Sequence, residues 1–130
     1  MDYLLDTDNV IDLLSNKGSG IERFRKVAND KLFLSVVSWS EVRYGIDKYP
    51  NAVKRQEQFK TFLYNFGIQV IPIDITVCEK FVEIKLDLEK RHFPLENFDL
   101  LIAATACANN LTLVTGNVKH FKRIPGLKIL

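Results

Sequence analysis

Short apolar runs alternate with longer segments of helical period along this chain, and that alternation restricts the fold more than any single motif. Tyr3-Leu4-Leu5 opens the series and stops at Asp6. Leu32-Phe33-Leu34 with Val36-Val37 forms a second run, residues 69–73 a third that Pro72 interrupts, and residues 111–115 a fourth; residues 127–130 offer a short last strand. Each run is brief and nearly all apolar, the pattern of strands covered on both faces. Between them the period changes. Phe59, Phe62, Leu63 and Phe66 recur at i, i+3, i+4, i+7, as do Phe98, Leu101, Ile102 and Thr105, and Val77, Phe81, Ile84 and Leu88 mark a third helical stripe. Gly67 is placed to end the first of these helices, and Asn97, shortly after Pro94, to cap the last. Strands alternating with helices predict an α/β fold, a three-layer α/β/α sandwich around a short, mostly parallel central sheet. No linker or repeat divides the 130 residues, so the expectation is a single domain over 1–130.

Several classes of protein are excluded at this stage. The longest weakly polar run, residues 100–108, is well short of the roughly 20 residues a membrane span needs. The N-terminus shows no basic start followed by an apolar stretch, so no secretory signal is visible and a cytoplasmic protein is expected. Cys78 and Cys107 have no His or Cys at ligand spacing and lie in apolar helical stretches, which predicts buried structural thiols. Lys plus Arg is 18 against 16 for Asp plus Glu, a balance too mild to mark a nucleic-acid binder or to exclude one. Any binding face must be locally charged.

In a parallel sheet, ligands bind outside the carboxyl ends of the strands. Two strand ends there carry polar groups that a bare fold does not require: Asp6-Thr7-Asp8-Asn9 after the first strand and Thr115-Gly116-Asn117 after the fourth. Two more acids, Glu41 and Asp99, stand in the first turns of helices expected to begin near that edge. Carboxylates gathered at one point repel, and a bound divalent cation held through oxygen ligands is the usual remedy. Such a cation keeps positions open for water and phosphate, which phosphodiester hydrolysis needs. Each acid also has a plainer explanation. Ser38-x-x-Glu41 has the form of a capping box, Asp99 complements a helix dipole, and Asp6 or Asp8 can cap a helix starting near Asn9. Spacing alone leaves the two explanations level.

Four blocks carry a family likeness: Tyr3-Leu4-Leu5-Asp6-Thr7-Asp8; Ser38-Trp39-Ser40-Glu41-Val42-Arg43-Tyr44-Gly45; Phe98-Asp99-Leu100-Leu101-Ile102-Ala103-Ala104-Thr105-Ala106; and Leu113-Val114-Thr115-Gly116-Asn117 with Phe121 and Ile124-Pro125-Gly126-Leu127. In this order and spacing the sequence resembles the PIN-domain ribonucleases, specifically the VapC-type toxins of toxin–antitoxin pairs. The resemblance implies a Mg²⁺- or Mn²⁺-dependent endoribonuclease that hydrolyses RNA by metal-activated water. By matching position, Asp6, Glu41 and Asp99 would be the catalytic, metal-binding acids, with Thr7 and Thr115 as supporting hydroxyls. It also implies a homodimer and a small antitoxin whose C-terminal segment lies over the site and directs an Arg at the carboxylates. The chain departs from the pattern where many relatives carry a fourth acid, having Asn117 and His120 there. An amide oxygen can orient water but brings no charge, so a second metal is put in question unless Asp8 or Glu96 fills the place.

Two rival readings follow from the same residues. Asp6-Thr7-Asp8 after a strand also fits the opening motif of haloacid-dehalogenase-like phosphatases, with Asp6 as nucleophile. That family needs late acids, and this chain has no Asp or Glu after Thr115. The other rival is a PIN-like scaffold that binds RNA or protein without cutting.

Overall fold

A computed structural model describes all residues, 1–130. Four strands, β1 (Asp2–Leu5), β2 (Lys31–Ser35), β3 (Gln69–Ile71) and β4 (Thr112–Val114), form one sheet in the order β3-β2-β1-β4. Every pairing is parallel. Seven helices cover it: α1 (Thr7–Ser15), α2 (Gly20–Arg25), α3 (Val36–Asp47), α4 (Ala52–Asn65), α5 (Ile75–Lys90), α6 (Asn97–Ala108) and α7 (Val118–Phe121). The expected sandwich is therefore present, with a sheet that is wholly parallel.

The layers follow from strand alternation. Leu4 and Leu113 point into one core with Ile84 and Leu88 of α5 and Leu100 and Ile102 of α6. Their neighbours Leu5 and Val114 point the other way, onto Val10 of α1, Phe24 of α2, Val42 of α3 and Phe59 of α4. Leu4, Leu5 and Leu113 are fully buried, so truncating any one to Ala should cost about 2–5 kcal/mol. The chain passes from β1 to β2 on one side and reaches β4 on the other, so the strand order reverses at β1. Such a reversal opens a crevice at the carboxyl edge.

Several local expectations are corrected. Val36 and Val37 do not extend β2; Ser35 caps α3, and its Oγ accepts from the Val37 amide at 3.1 Å. The third strand stops at Ile71 because Pro72 has no N–H for the ladder. Residues 127–130 contribute only an isolated bridge, Ile129 to Leu113. Asn97 is the first residue of α6 rather than its cap; Glu96 holds that place without a side-chain bond. Helix α2 had no clear periodic signal. It follows a turn at Gly18, whose φ of +100° is the left-handed region that favours glycine, and the Gly20 amide donates to Asp12 Oδ2 at 2.9 Å. Cys78 is exposed, since its neighbour Val77 takes the inward position on α5, and Cys107 is only partly buried. Phe59 is core, but Phe66 and Phe98 are exposed at 40% and 54%. Trp39 packs partly buried against Phe59, while Tyr49 and Tyr64 are exposed.

Candidate active site

Strand β1 delivers Asp6 to the carboxyl edge, where it becomes the N-cap of α1. Its Oδ1 accepts from the Thr7 amide at 2.8 Å and its Oδ2 from Thr115 Oγ1 at 2.7 Å. Each oxygen thus has one protein donor and keeps a lone pair. Only 6% of the residue is exposed, and this burial pushes its pKa up to about 6. The two hydrogen bonds pull the other way, and repulsion from Asp8 and Asp99 adds to the rise. Thr115 is fixed in turn by the Asn117 amide, which donates to its Oγ1 at 2.9 Å.

Glu41 is not a cap. With Ser35 as N-cap, Ser38 falls third in α3, fully buried, and the expected box between Ser38 and Glu41 does not form. Glu41 Oε1 lies 2.6 Å from Thr7 Oγ1, which is also 2.9 Å from Ser38 Oγ. An ionised carboxylate only accepts, so Thr7 donates to Glu41 and Ser38 donates to Thr7. The chain of hydroxyls links the start of α1 to the second turn of α3. Asp99 comes from the first turn of α6 and is half-buried. Burial raises its pKa, Asp8 and Glu96 raise it further, and His120 opposes them.

Asp6, Glu41 and Asp99 line one cleft of about 760 Å³, together with Thr7, Asp8 and Asn117. Asp8 is exposed at its rim. Asn117 turns its amide nitrogen to His120 Nδ1 at 3.0 Å. Thr115 lies behind Asp6, supporting it from the buried side. None of the four acids Asp6, Asp8, Glu41 and Asp99 makes an ion pair. Nor are any three His, Cys, Asp or Glu side chains drawn together at metal-holding spacing. The donor set still suits a hard cation. It consists of carboxylate oxygens without an ion-pair partner, and burial and neighbouring acids raise the pKa values of Asp6 and Asp99, a cost to the charged forms that a divalent ion would relieve.

Sequence reasoning passed over a polar layer behind these acids. Asn9 is fully buried; its amide nitrogen donates to the Val114 carbonyl and its Oδ1 accepts from Arg23 Nε at 3.0 Å. A Cβ at Gly116 would stand 2.6 Å from the Arg23 guanidinium, the mobile end of a side chain that could shift to admit it. The available signal was an Asn three residues after Asp6, on the inward side of α1. Ser38 was noticed only as a cap. A second, more apolar groove of about 580 Å³ borders the cleft at Ile11 and Gly45 and holds no acid.

A family model described as "PIN domain" matches residues 3–127, and the chain belongs to that family. Within it the likeness is to VapC ribonucleases. The chain is 34% identical to Ribonuclease VapC2 of Rickettsia felis over 98% of its own length and 95% of the relative's. It is 25% identical to the tRNA(fMet)-specific endonuclease VapC of Salmonella typhimurium over the same shares, 98% and 95%. Among solved structures, VapBC2 from Rickettsia felis bound to a promoter DNA fragment superposes with a TM-score of 0.87 at 30% identity, covering 100% of this chain and 98% of that one. DNA-bound VapBC from Salmonella typhimurium gives 0.87 at 27%, covering 100% and 97%. Family membership sets aside the phosphatase reading of Asp6-Thr7-Asp8. No helix is long and apolar enough to cross a membrane.

Proposed function

We propose that the chain is a single-domain, metal-dependent endoribonuclease and the toxin of a toxin–antitoxin pair. The observation that carries this is the cleft itself: three carboxylates from β1, α3 and α6, none of them ion-paired, at the carboxyl edge where the sheet order reverses. Asp6, Glu41 and Asp99 would hold Mg²⁺ or Mn²⁺. When bound, such a cation lowers the pKa of water and offsets charge developing on phosphoryl oxygens.

The chain's own residues prepare that chemistry. Thr115 and the Thr7 amide hold the Asp6 carboxylate in the cleft lining, one donor on each oxygen. Thr7, driven by Ser38, fixes Glu41. Burial leaves Asp6, and to a lesser degree Asp99, poorly solvated, so both gain from a cation more than exposed acids would. Asp8 adds negative charge at the rim, and Asn117 offers an amide in place of an acid, suited to orienting water.

Relatives of known structure are toxin–antitoxin complexes. An antitoxin segment would occupy the apolar groove that borders the cleft, with an Arg reaching the carboxylates and neutralising them. A homodimer goes with this reading. Incubating the purified protein with RNA in Mg²⁺, and again with a chelator, tests the activity. Cleavage that the chelator stops supports the enzyme; RNA left intact in Mg²⁺ favours a non-cutting scaffold.

A further inference from the structure

The acid cleft opens on one side into a hollow of about 330 Å³, shared through Asp99 and lined beyond it by Glu96, His120 and Arg123. We propose that this hollow is a subsite for a backbone phosphate of the RNA, next to the phosphate being cut, held by Arg123 and His120. The proposal rests on the nuclease reading and names where its substrate leaves the acids.

Charge is the first argument. Asp99 is the last acid in the chain; the residues after it include Lys119, His120, Lys122, Arg123 and Lys128. Arg123, half-buried on the hollow, makes no ion pair, and neither do the exposed Lys119 and Lys122 close to it in the chain, so these cations stand unneutralised. A polyanion drawn over carboxylates needs such a flank.

Preorganisation is the second. The Arg123 guanidinium lies 5.2 Å from the centre of the Phe93 ring, and its carbonyl accepts from Arg91 Nη2 at 2.5 Å. The ring contact steadies the side chain, the carbonyl contact only its backbone, and no carboxylate takes the guanidinium donors, which stay available for the fork geometry that suits phosphate. His120 is steadied by Asn117. With the amide nitrogen donating, Nδ1 accepts and the ring proton sits on Nε2, a donor for a phosphate oxygen. Glu96 is the only other acid on the hollow besides Asp99, and it pairs with neither.

The test pairs two measurements on the full chain. Fluorescence anisotropy reads binding of a labelled single-stranded RNA in Ca²⁺ over a salt series, and cleavage of the same RNA in Mg²⁺ gives kcat and KM. Arg123→Gln should weaken binding and raise KM about tenfold, the loss of one charged hydrogen-bonding contact, with kcat close to wild type. It should also reduce the salt slope by about 0.7, one phosphate contact on a single strand. His120→Gln should raise KM with its salt slope nearly intact, and Arg123→Lys should restore the slope. Lys54→Gln, a cation on the far helix α4, should change nothing. Arg123→Gln with wild-type KM and slope in a protein that still cleaves RNA overturns the subsite and leaves the nuclease standing. Slope loss of equal size in Lys54→Gln overturns it too, as diffuse charge. Arg123-dependent binding without any cleavage upholds the subsite and removes the nuclease reading. A wild type that neither binds nor cuts overturns both.

Discussion

The junction from β1 into α1 and the junction from β2 into α3 are built alike and use their polar residues differently. Each passes from strand to helix with scarcely a residue between, and each needs an acceptor for the open amides of the first turn. At β1 the acceptor is Asp6, so one carboxylate serves as both cap and site residue. At β2 the acceptor is the neutral Ser35, and the acid is displaced to Glu41, nearly two turns along the helix, free of any capping duty. On the proposed function, the first arrangement ties chemistry to folding and the second separates them. The same mutation, acid to amide, should therefore read differently at the two places.

The largest effect is expected where the acid carries only chemistry or its electrostatic cost. Asp99→Asn should lower RNA cleavage at least about 10²-fold, as removal of one charge-stabilising group does. It should also release the growth arrest that the wild-type chain causes when expressed alone in a bacterium. Equal arrest at matched protein levels would count against the site. Glu41→Gln should match that loss of activity while leaving the melting temperature of the metal-free protein unchanged. A marked drop in stability would show that Glu41 has a structural duty after all, and retained cleavage would remove it from the site.

Asp6 should show the entanglement through pH. Its folded pKa of about 6 lies above the ordinary 3.8, so the folded chain holds a proton that the unfolded chain has already lost. Wild-type stability should then fall as pH rises through that window. Asp6→Asn, which still accepts from the Thr7 amide, lacks this loss. Between pH 3 and pH 7 in a metal-free buffer, the unfolding free energy of the variant should gain roughly 2–3 kcal/mol on wild type. Parallel curves for the two proteins in denaturant titrations would contradict the buried, destabilised carboxylate.

Ser35→Ala isolates the cap at β2. It should cost about 1 kcal/mol of stability and leave kcat/KM close to wild type. Activity lost in step with Glu41→Gln would show that the cap also positions the acid. Least of all, Asn117→Asp should lower the Mg²⁺ concentration for half-maximal cleavage several-fold, by adding a charged ligand beside Asp99. An unchanged requirement would place Asn117 outside the ion's reach.

Much of this was legible in the sequence because it depends on periodicity and strand ends. Short, nearly all-apolar triplets bounded by polar residues, such as Leu32-Phe33-Leu34, read as strands covered on both faces, and an Asp directly after such a run falls at the sheet edge. What escaped depends on phase and cap choice. Ser35 and Ser38 both offer a cap to α3, and only packing of Val37 and Ser38 inward decides for Ser35. Cys78 and Phe98 lie in helical stripes whose neighbours Val77 and Leu100 take the core, which periodicity resolves only to within a residue. Helix α2 rests on a left-handed glycine and an Asp12 side chain, long-range details with no periodic trace. That Arg123 and His120 line a hollow next to Asp99 has no trace in periodicity and came only with the fold.

On the proposed function, Asp6, Glu41 and Asp99 hold one divalent cation between them. Titrating Mn²⁺ into the wild-type protein and into Glu41→Gln, followed by the loss of the free-ion paramagnetic signal, tests it without reliance on turnover. The expected result is one Mn²⁺ per wild-type chain and a clear loss of affinity in Glu41→Gln, and likewise in Asp99→Asn. Mn²⁺ bound equally well by wild type and Glu41→Gln would contradict it.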